Sequence, residues 1–85
     1  MKEFTYKIRS EIGIHLLPAT KLTSIAEKFK SKVTITKDCT TMNGKSVMGL
    51  ISLCCRKDDE VTVRIEGEDE AAAYEALLDH FETTL

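Results

Sequence analysis

The fold of this chain is decided by one stretch, residues 33–42, which reads VTITKDCTTM. Val33 and Ile35 alternate with threonines, and because successive side chains of a strand point to opposite faces, this pattern predicts a half-buried strand. Lys37-Asp38 predicts a tight turn into a second, more polar strand around Cys39 to Met42. A hairpin at this place in the chain favours antiparallel pairing for the sheet built around it.

The segment before the hairpin predicts a strand and a helix. Apolar and polar residues alternate over residues 4–8, which is typical of a half-buried strand. A loop containing Gly13 follows, and Pro18 is tolerated in the first turn of the helix after it. The apolar stripe of that helix, spaced i, i+3, i+4 and i+7, consists of Leu22, Ile25, Ala26 and Phe29.

The segment after the hairpin predicts a helix, a strand and a last helix. Asn43-Gly44 breaks the chain, and Ser46 is a candidate N-cap for a short helix from Val47 to about Leu53, which is apolar almost all the way round. Residues 61–65 alternate as a fourth strand, and acidic residues 68–70 suit the N-terminus of the last helix. The apolar stripe of that helix is Tyr74, Leu77, Leu78, Phe81 and Leu85.

These elements predict an α+β fold in the order βαββαβα. We expect a two-layer open-faced sandwich, in which a four-stranded, mostly antiparallel sheet carries the helices on one face. With 85 residues the chain has room for one core, so residues 1–85 are expected to form a single domain.

Composition excludes several classes of function. Hydrophobic residues make up 42% and charged residues 31%, which indicates a folded rather than a disordered chain. The 12 basic and 14 acidic side chains leave a net charge of −2, so nucleic acid is not an expected partner. No apolar run approaches the ~18 residues of a membrane helix. The N-terminus alternates polar and apolar residues, unlike a signal peptide, so a cytoplasmic protein is expected.

Three cysteines make a poor disulfide framework, since the number is odd and Cys54 and Cys55 are adjacent. No Cys-x-x-Cys pair exists, so no metal site is expected. We therefore predict that Cys39, Cys54 and Cys55 are reduced and buried as small hydrophobic residues. His80 is predicted to be a solvated or partly packed residue of the last helix rather than a ligand.

His15 lies between a glycine-containing loop and a helix start, where free N–H groups and the helix dipole favour an anion. A histidine there could accept a phosphoryl group on a ring nitrogen, because its neutral form is populated near physiological pH. The alternative is a loop histidine with no chemical role.

Two motifs resemble the HPr family, the histidine-containing phosphocarriers of the bacterial sugar phosphotransferase system. Residues 13–20, GIHLLPAT, are similar to the active-site segment, and residues 45–53, KSVMGLISL, are similar to the second signature. The two stand at the family spacing, and residues 66–70 resemble the entry to the family's last helix. The similarity covers the whole chain.

The resemblance implies a phosphoryl carrier without cofactor rather than a turnover enzyme. His15 would accept the phosphoryl group from enzyme I and pass it to IIA domains. An exposed apolar patch would dock these partners, although Val47 and Ile51 could instead belong to the core. The patch consists of Leu16, Leu17, Val47, Met48 and Ile51. Ser46 matches the family's regulatory phosphorylation site, which a kinase/phosphorylase modifies to create a surface for a transcription regulator. Nothing predicts a large oligomeric face, so a monomer is expected.

The sequence departs from the family where charge matters. Leu17 stands where the family carries an arginine that neutralises the phosphoryl group, and Ile12 and Leu16 are more apolar than usual. Lys21 or Lys45 could supply the missing cation. Cys54 replaces a usual glycine, which predicts an altered backbone after the short helix.

These departures leave a second hypothesis open, a regulatory relative with weak or no transfer at His15 that acts through Ser46. A third hypothesis, a small phosphatase, would need a cationic phosphate cradle, and no lysine or arginine lies between Glu11 and Thr20.

Overall fold

A computed structural model describes residues 1–11, 13–14 and 16–85, with only the backbone at Leu16. The described residues form four strands and three helices in the predicted βαββαβα order. They are β1 (Lys2–Lys7), α1 (Leu16–Glu27), β2 (Lys32–Lys37), β3 (Thr40–Asn43), α2 (Val47–Ser52), β4 (Glu60–Glu66) and α3 (Glu70–Thr84).

The four strands form one sheet in the order β1-β4-β2-β3, and all neighbouring strands are antiparallel. The β2–β3 hairpin is the one predicted from residues 33–42, with Lys37 opposite Thr40. Because β4 lies between β1 and β2, Val63 pairs with Phe4 on one side and with Ile35 on the other. The predicted fold class is confirmed.

The two faces of the sheet differ because side chains alternate along each strand. The face toward the helices is apolar and packs on α1, α2 and α3 to form the core. Its buried strand residues are Phe4, Val33, Ile35, Val61, Val63 and Ile65. The open face is polar: threonine hydroxyls pair across strands, Thr36 with Thr41 at 2.8 Å, and Arg64 contacts Glu3 at 2.9 Å.

Three element boundaries differ from the predictions. Helix α1 ends at Glu27, and Phe29 lies in the following turn, where its carbonyl accepts a hydrogen bond from Lys45 Nζ at 2.8 Å. Cys39 lies in the β2–β3 turn rather than in a strand, beside Asp38, whose φ is 55°. Ile8 follows β1 but is fully buried, because the chain turns inward there.

The prediction that all three cysteines are buried is wrong for two of them. All three are free thiols, Cys55 is buried, and Cys39 and Cys54 are exposed. The exposed pair lie at chain reversals, where backbone geometry rather than hydrophobicity decides which way a side chain points.

Across the described part of the chain, every helix is too short or too polar to traverse a bilayer.

One carboxylate joins the turn before β2 to the turn before α3. Asp69 accepts hydrogen bonds from the backbone N–H of Lys30 at 2.8 Å and of Ser31 at 2.9 Å, and from the Ser31 hydroxyl. The bond from the Ser31 hydroxyl, followed by the Lys30 amide, lowers the pKa of Asp69. Asp69 thus links the turn between α1 and β2 to the N-terminus of α3.

We predict that Asp69→Ala lowers the thermal midpoint by roughly 5 °C at neutral pH, because two backbone N–H groups and a hydroxyl lose their acceptor. A carboxylate whose folded pKa is depressed stabilises the fold above its unfolded pKa, and this contribution is lost as the pH falls through the folded value. Thermal unfolding followed by circular dichroism should therefore show a shallower loss of stability on acidification in Asp69→Ala. Glu68→Ala, which changes the exposed neighbouring acid, is the control; an equal shift in both variants would contradict the assignment.

Candidate functional site

The loop between β1 and α1 is fastened to the segment that joins α2 to β4. The Ile8 N–H donates to the Asp59 carbonyl at 2.9 Å, and the Asp58 N–H donates back to the Ile8 carbonyl at 2.7 Å. Farther along, the Ile14 N–H donates to the Cys55 carbonyl at 3.0 Å. These backbone bonds fix both ends of the loop to one neighbour.

Gly13 allows the closest of these approaches. Its φ of 73° lies in the left-handed region, and an added Cβ would come within 2.2 Å of the Cys55 carbonyl oxygen and 2.8 Å of Arg56 Cα. Only glycine fits this position, because any side chain would meet backbone that cannot move aside. Ile14, the next residue, is buried against the core.

A second contact holds the start of the same loop. The Leu85 carbonyl accepts hydrogen bonds from the backbone N–H of Arg9 at 2.6 Å and of Ser10 at 2.8 Å. The Arg9 side chain continues the contact, with Nη2 donating to the Glu82 carbonyl at 2.7 Å and Nε to the Tyr6 hydroxyl at 3.0 Å. The loop is therefore held by α3 as well as by the α2–β4 segment.

The predicted phosphoryl acceptor, His15, lies outside the described residues, as do Ile12 and the side chain of Leu16. Its chain neighbours are described: Ile14 ends the anchored loop, and Leu16 is the first residue of α1. The first turn of α1 holds no acidic residue that would repel an anion. Leu17, in the place of the family arginine, is 67% exposed.

His80 is buried at only 6% exposure, so it belongs to the packed side of α3 rather than to its solvated side. Burial lowers the pKa of His80; a hydrogen bond to the Pro18 backbone and the charge of Asp79 oppose this effect, and Lys21 adds to it. Its Nε2 has no hydrogen-bond partner among the described residues. His80 thus packs beneath the first turn of α1, where burial favours the neutral form of its ring.

The second motif has the local structure that the sequence predicts. Ser46 is the N-cap of α2, and its Oγ accepts a hydrogen bond from the Gly49 N–H at 3.1 Å. Its side chain is half-buried, which leaves part of the residue facing solvent. Lys45 contacts the Phe29 carbonyl at the far end of α1, so this lysine does not replace the family arginine near Leu17.

The predicted docking residues divide into two groups. Met48 on α2 and Leu17 on α1 are exposed, at 74% and 67%. Val47 and Ile51 are half-buried and pack against the core. Their role as core residues therefore accounts for part of the apolar character of α2, while Met48 and Leu17 contribute apolar surface.

The chain after α2 keeps a conformation that normally requires glycine. Cys54 has a φ of 54°, in the left-handed region where a Cβ is crowded by the carbonyl that follows it. The backbone after α2 is left-handed, and the cysteine carries the strain.

We predict that Cys54→Gly raises the free energy of unfolding by about 1 kcal/mol, because glycine adopts positive φ without the Cβ clash. The measurement is urea unfolding under reducing conditions. Cys39→Gly is the matched control, since Cys39 is also exposed but has no positive φ. Glycine there should be neutral or destabilising, and stabilisation by both variants would count against the strain.

Sequence reasoning missed the residues that hold the α2–β4 segment. Lys37 is predicted to lie in a turn but ends β2, and its Nζ lies 3.1 Å from Asp59 Oδ2. Two charged residues so far apart in the chain carry no pattern in the sequence, so nothing in the chain order could have paired them. Within the described residues, His, Cys, Asp and Glu side chains form no group that could hold a metal ion.

The phosphotransferase-system HPr family model, described as the HPr component phosphorylation site, matches residues 2–83. The chain belongs to the HPr family. Among curated relatives, the phosphocarrier protein HPr of Neisseria meningitidis serogroup A is 38% identical over 79 residues, which cover 93% of this chain and 89% of the relative.

Solved structures of the HPr family agree with the fold described above. HPr-C-His from Thermoanaerobacter tengcongensis is 38% identical, covers 98% of this chain and 93% of its own, and has a TM-score of 0.93. Crh, the catabolite repression protein of Bacillus subtilis, is 35% identical, covers 94% of this chain and 92% of its own, and has a TM-score of 0.78. The Crh structure is described as a domain-swapped dimer.

Proposed function

We propose that this protein carries phosphoryl groups on His15 between enzyme I and the IIA domains of the bacterial sugar phosphotransferase system. The observation that carries the proposal is the anchored loop: the Ile14 N–H is held by the Cys55 carbonyl, and Leu16 opens α1, so the chain neighbours of His15 belong to a fastened loop and to a helix start. The family match of this same segment supports it. The protein acts in the cytoplasm, as a monomer and without a cofactor.

The transfer step forms one bond and breaks one. A ring nitrogen of neutral His15 attacks the phosphorus atom carried by enzyme I, and an N–P bond forms. The bond from phosphorus to the donor atom of enzyme I breaks, and that atom keeps the electron pair. The other ring nitrogen releases its proton to water. The same exchange in reverse roles delivers the group to a IIA domain.

The α1 N-terminus supplies the electrostatic support that remains. The N–H groups of its first turn have no partner within the helix and favour a negative charge. The family arginine would add a charge-assisted bond, and Leu17 cannot. Transfer is therefore slower than in an arginine-containing relative, by roughly tenfold to a hundredfold if one bond of ~1.5–3 kcal/mol is missing.

We predict that incubation with enzyme I and phosphoenolpyruvate labels the wild-type protein with acid-labile phosphate, and that His15→Ala abolishes the label. His80→Gln, which alters the other histidine, is the control and should keep it. Mass spectrometry gives the readout. An unlabelled wild-type protein, at concentrations where an arginine-containing relative saturates, would refute the carrier function.

The variant Leu17→Arg tests the missing charge. We expect the transfer rate to rise by roughly tenfold to a hundredfold, because the guanidinium restores a charge-assisted bond to the phosphoryl group. Leu17→Gln has a polar side chain without the charge and should change the rate little. Equal rates in Leu17→Arg and wild type would show that another group already neutralises the phosphate.

Ser46 is proposed as a regulatory phosphorylation site, recognised by an HPr kinase/phosphorylase and then by a transcription regulator. Its support is the position of Oγ at the α2 N-terminus, where the helix dipole and the Gly49 N–H favour negative charge. A phosphate there adds charge beside the exposed Met48, which would weaken docking of partners that bind apolar surface.

We predict that the kinase labels wild type but not Ser46→Ala. Ser52→Ala is the control, because Ser52 is an exposed serine at the other end of the helix that Ser46 caps. Ser46→Ala also loses the N-cap bond, which costs about 1 kcal/mol, so its fold is checked by circular dichroism. Equal labelling of Ser46→Ala and wild type would place the phosphate elsewhere.

The exposure of Leu17 favours one alternative, a regulatory interaction protein with weak or no transfer at His15. An apolar side chain in place of a phosphate-binding cation suits contact with a partner better than phosphoryl chemistry. Labelling at Ser46 together with no labelling at His15 would select this alternative.

A further inference from the structure

The ammonium group of Lys37 lies among three oxygen atoms at the α2–β4 segment. Lys37 Nζ donates to the Cys54 carbonyl at 2.9 Å and to the Leu53 carbonyl at 3.2 Å, and it lies 3.1 Å from Asp59 Oδ2. An ammonium has three hydrogens, so each has an acceptor. The Lys37 side chain is only 20% exposed, which limits competition from water.

These contacts lie on both sides of Cys55, the residue whose carbonyl holds the loop before His15. Leu53 and Cys54 precede Cys55, and Asp59 follows it, while the Cys55 carbonyl accepts the Ile14 N–H. Lys37 therefore braces the segment on both sides of the one carbonyl that fixes Ile14. The Asp59 carbonyl also accepts the Ile8 N–H, so the same brace reaches the other end of the loop.

The braced segment needs an external support because its backbone is strained. Cys54 has a φ of 54°, and its carbonyl is the one that lies nearest the Lys37 ammonium. Asp59 Oδ2 also accepts the Arg56 N–H at 2.9 Å, which closes the turn between the two ends. Without the ammonium, two carbonyls and a carboxylate lose a shared donor, and the strained residue loses its restraint.

The charges of this cluster persist over the ordinary pH range. The hydrogen bond from the Arg56 backbone N–H lowers the pKa of Asp59 most, and the hydrogen bond from Lys37 lowers it further. The same bond to Asp59 raises the pKa of Lys37. The buried Cys55 thiol stays neutral, because burial raises its pKa to about 11. The ion pair is therefore intact at the pH where transfer occurs.

We propose that Lys37 is a positioning residue for phosphoryl transfer at His15, acting through the Leu53–Asp59 segment and the bond between Ile14 and Cys55. The inference rests on the proposed carrier function. Lys37 is not a catalytic residue, since it contacts the segment that holds the loop and takes no part in the bonds made or broken.

The test compares Lys37→Met with Lys32→Met, which changes an exposed lysine at the other end of the same strand. We expect kcat for phosphorylation by enzyme I to fall roughly tenfold in Lys37→Met, because displacement of a reacting group by less than 1 Å has effects of this size. KM for the carrier should change less than twofold, since Leu17 and Met48 remain exposed. Lys32→Met should behave as wild type.

Hydrogen exchange of the Ile14 amide supplies a readout independent of activity. In Lys37→Met this amide should exchange roughly tenfold faster, since its acceptor segment opens more often. The exchange rate of core amides such as that of Val63 should change only as much as the overall stability of the protein changes. If the wild-type protein accepts no phosphate, the carrier function fails, and the exchange data still decide whether Lys37 holds the loop.

Two further variants complete the design. In the Lys37→Met background, Cys54→Gly should raise kcat at least about threefold over Lys37→Met alone. The reason is that glycine adopts the left-handed backbone without an external restraint. If Lys37→Met does not fold, Asp59→Asn, which keeps the ammonium and its two carbonyl partners, should still lower kcat about threefold. Wild-type kcat and Ile14 exchange in a folded Lys37→Met or Asp59→Asn protein would overturn the proposal.

Discussion

The hydrogen bond from the Ile14 N–H to the Cys55 carbonyl joins the first signature segment to the chain just after the second, and much of the site depends on it. It requires glycine at residue 13, because a Cβ there would meet the Cys55 carbonyl oxygen. It also requires the chain after α2 to turn back sharply, which Cys54 does in a conformation unfavourable for a side chain. The start of α1 is thus placed by an element that lies far away in the sequence.

Backbone groups, rather than side chains, perform most of this placement. The loop before α1 is held by carbonyls of Cys55, Asp59 and Leu85, and its described side chains add the burial of Ile8 and Ile14 and the hydrogen bonds of Arg9. Because Leu17 is exposed and the backbone bonds set the geometry of the loop, the fold does not depend on the side chain at this position.

The two candidate phosphorylation positions differ in how their helices are stabilised. Helix α1 packs against α2 and α3, and its Leu22 and Ala26 are fully buried. Helix α2 has one turn and a half, and depends on the Ser46 cap and on the buried Leu50. The Ser46 side chain thus caps a short helix that carries the exposed Met48, whereas α1 is twice as long.

The order of elements and the sheet faces could be predicted because they follow from local periodicity. Alternation in residues 33–36 and 61–65 marked the strands of the core, and the Ser46 cap followed from one residue type before an apolar run. Helix ends were less certain: Phe29 continues the apolar spacing of α1, but the helix stops at Glu27. The cysteines were misjudged because Cys39 and Cys54 lie in turns, where the direction of the backbone overrides hydrophobicity.

The sequence by itself determined the antiparallel sandwich, because spacing along a chain records strand and helix periods directly, and its two motifs carried the resemblance to the HPr family. Only the tertiary structure decided that Lys37 reaches Asp59, that Cys54 is left-handed, that His80 packs beneath Pro18 and that Met48 and Leu17 remain exposed. Each of these depends on how separate segments meet in space. Contacts between distant segments are selected by shape and charge after folding, and leave no period in the sequence.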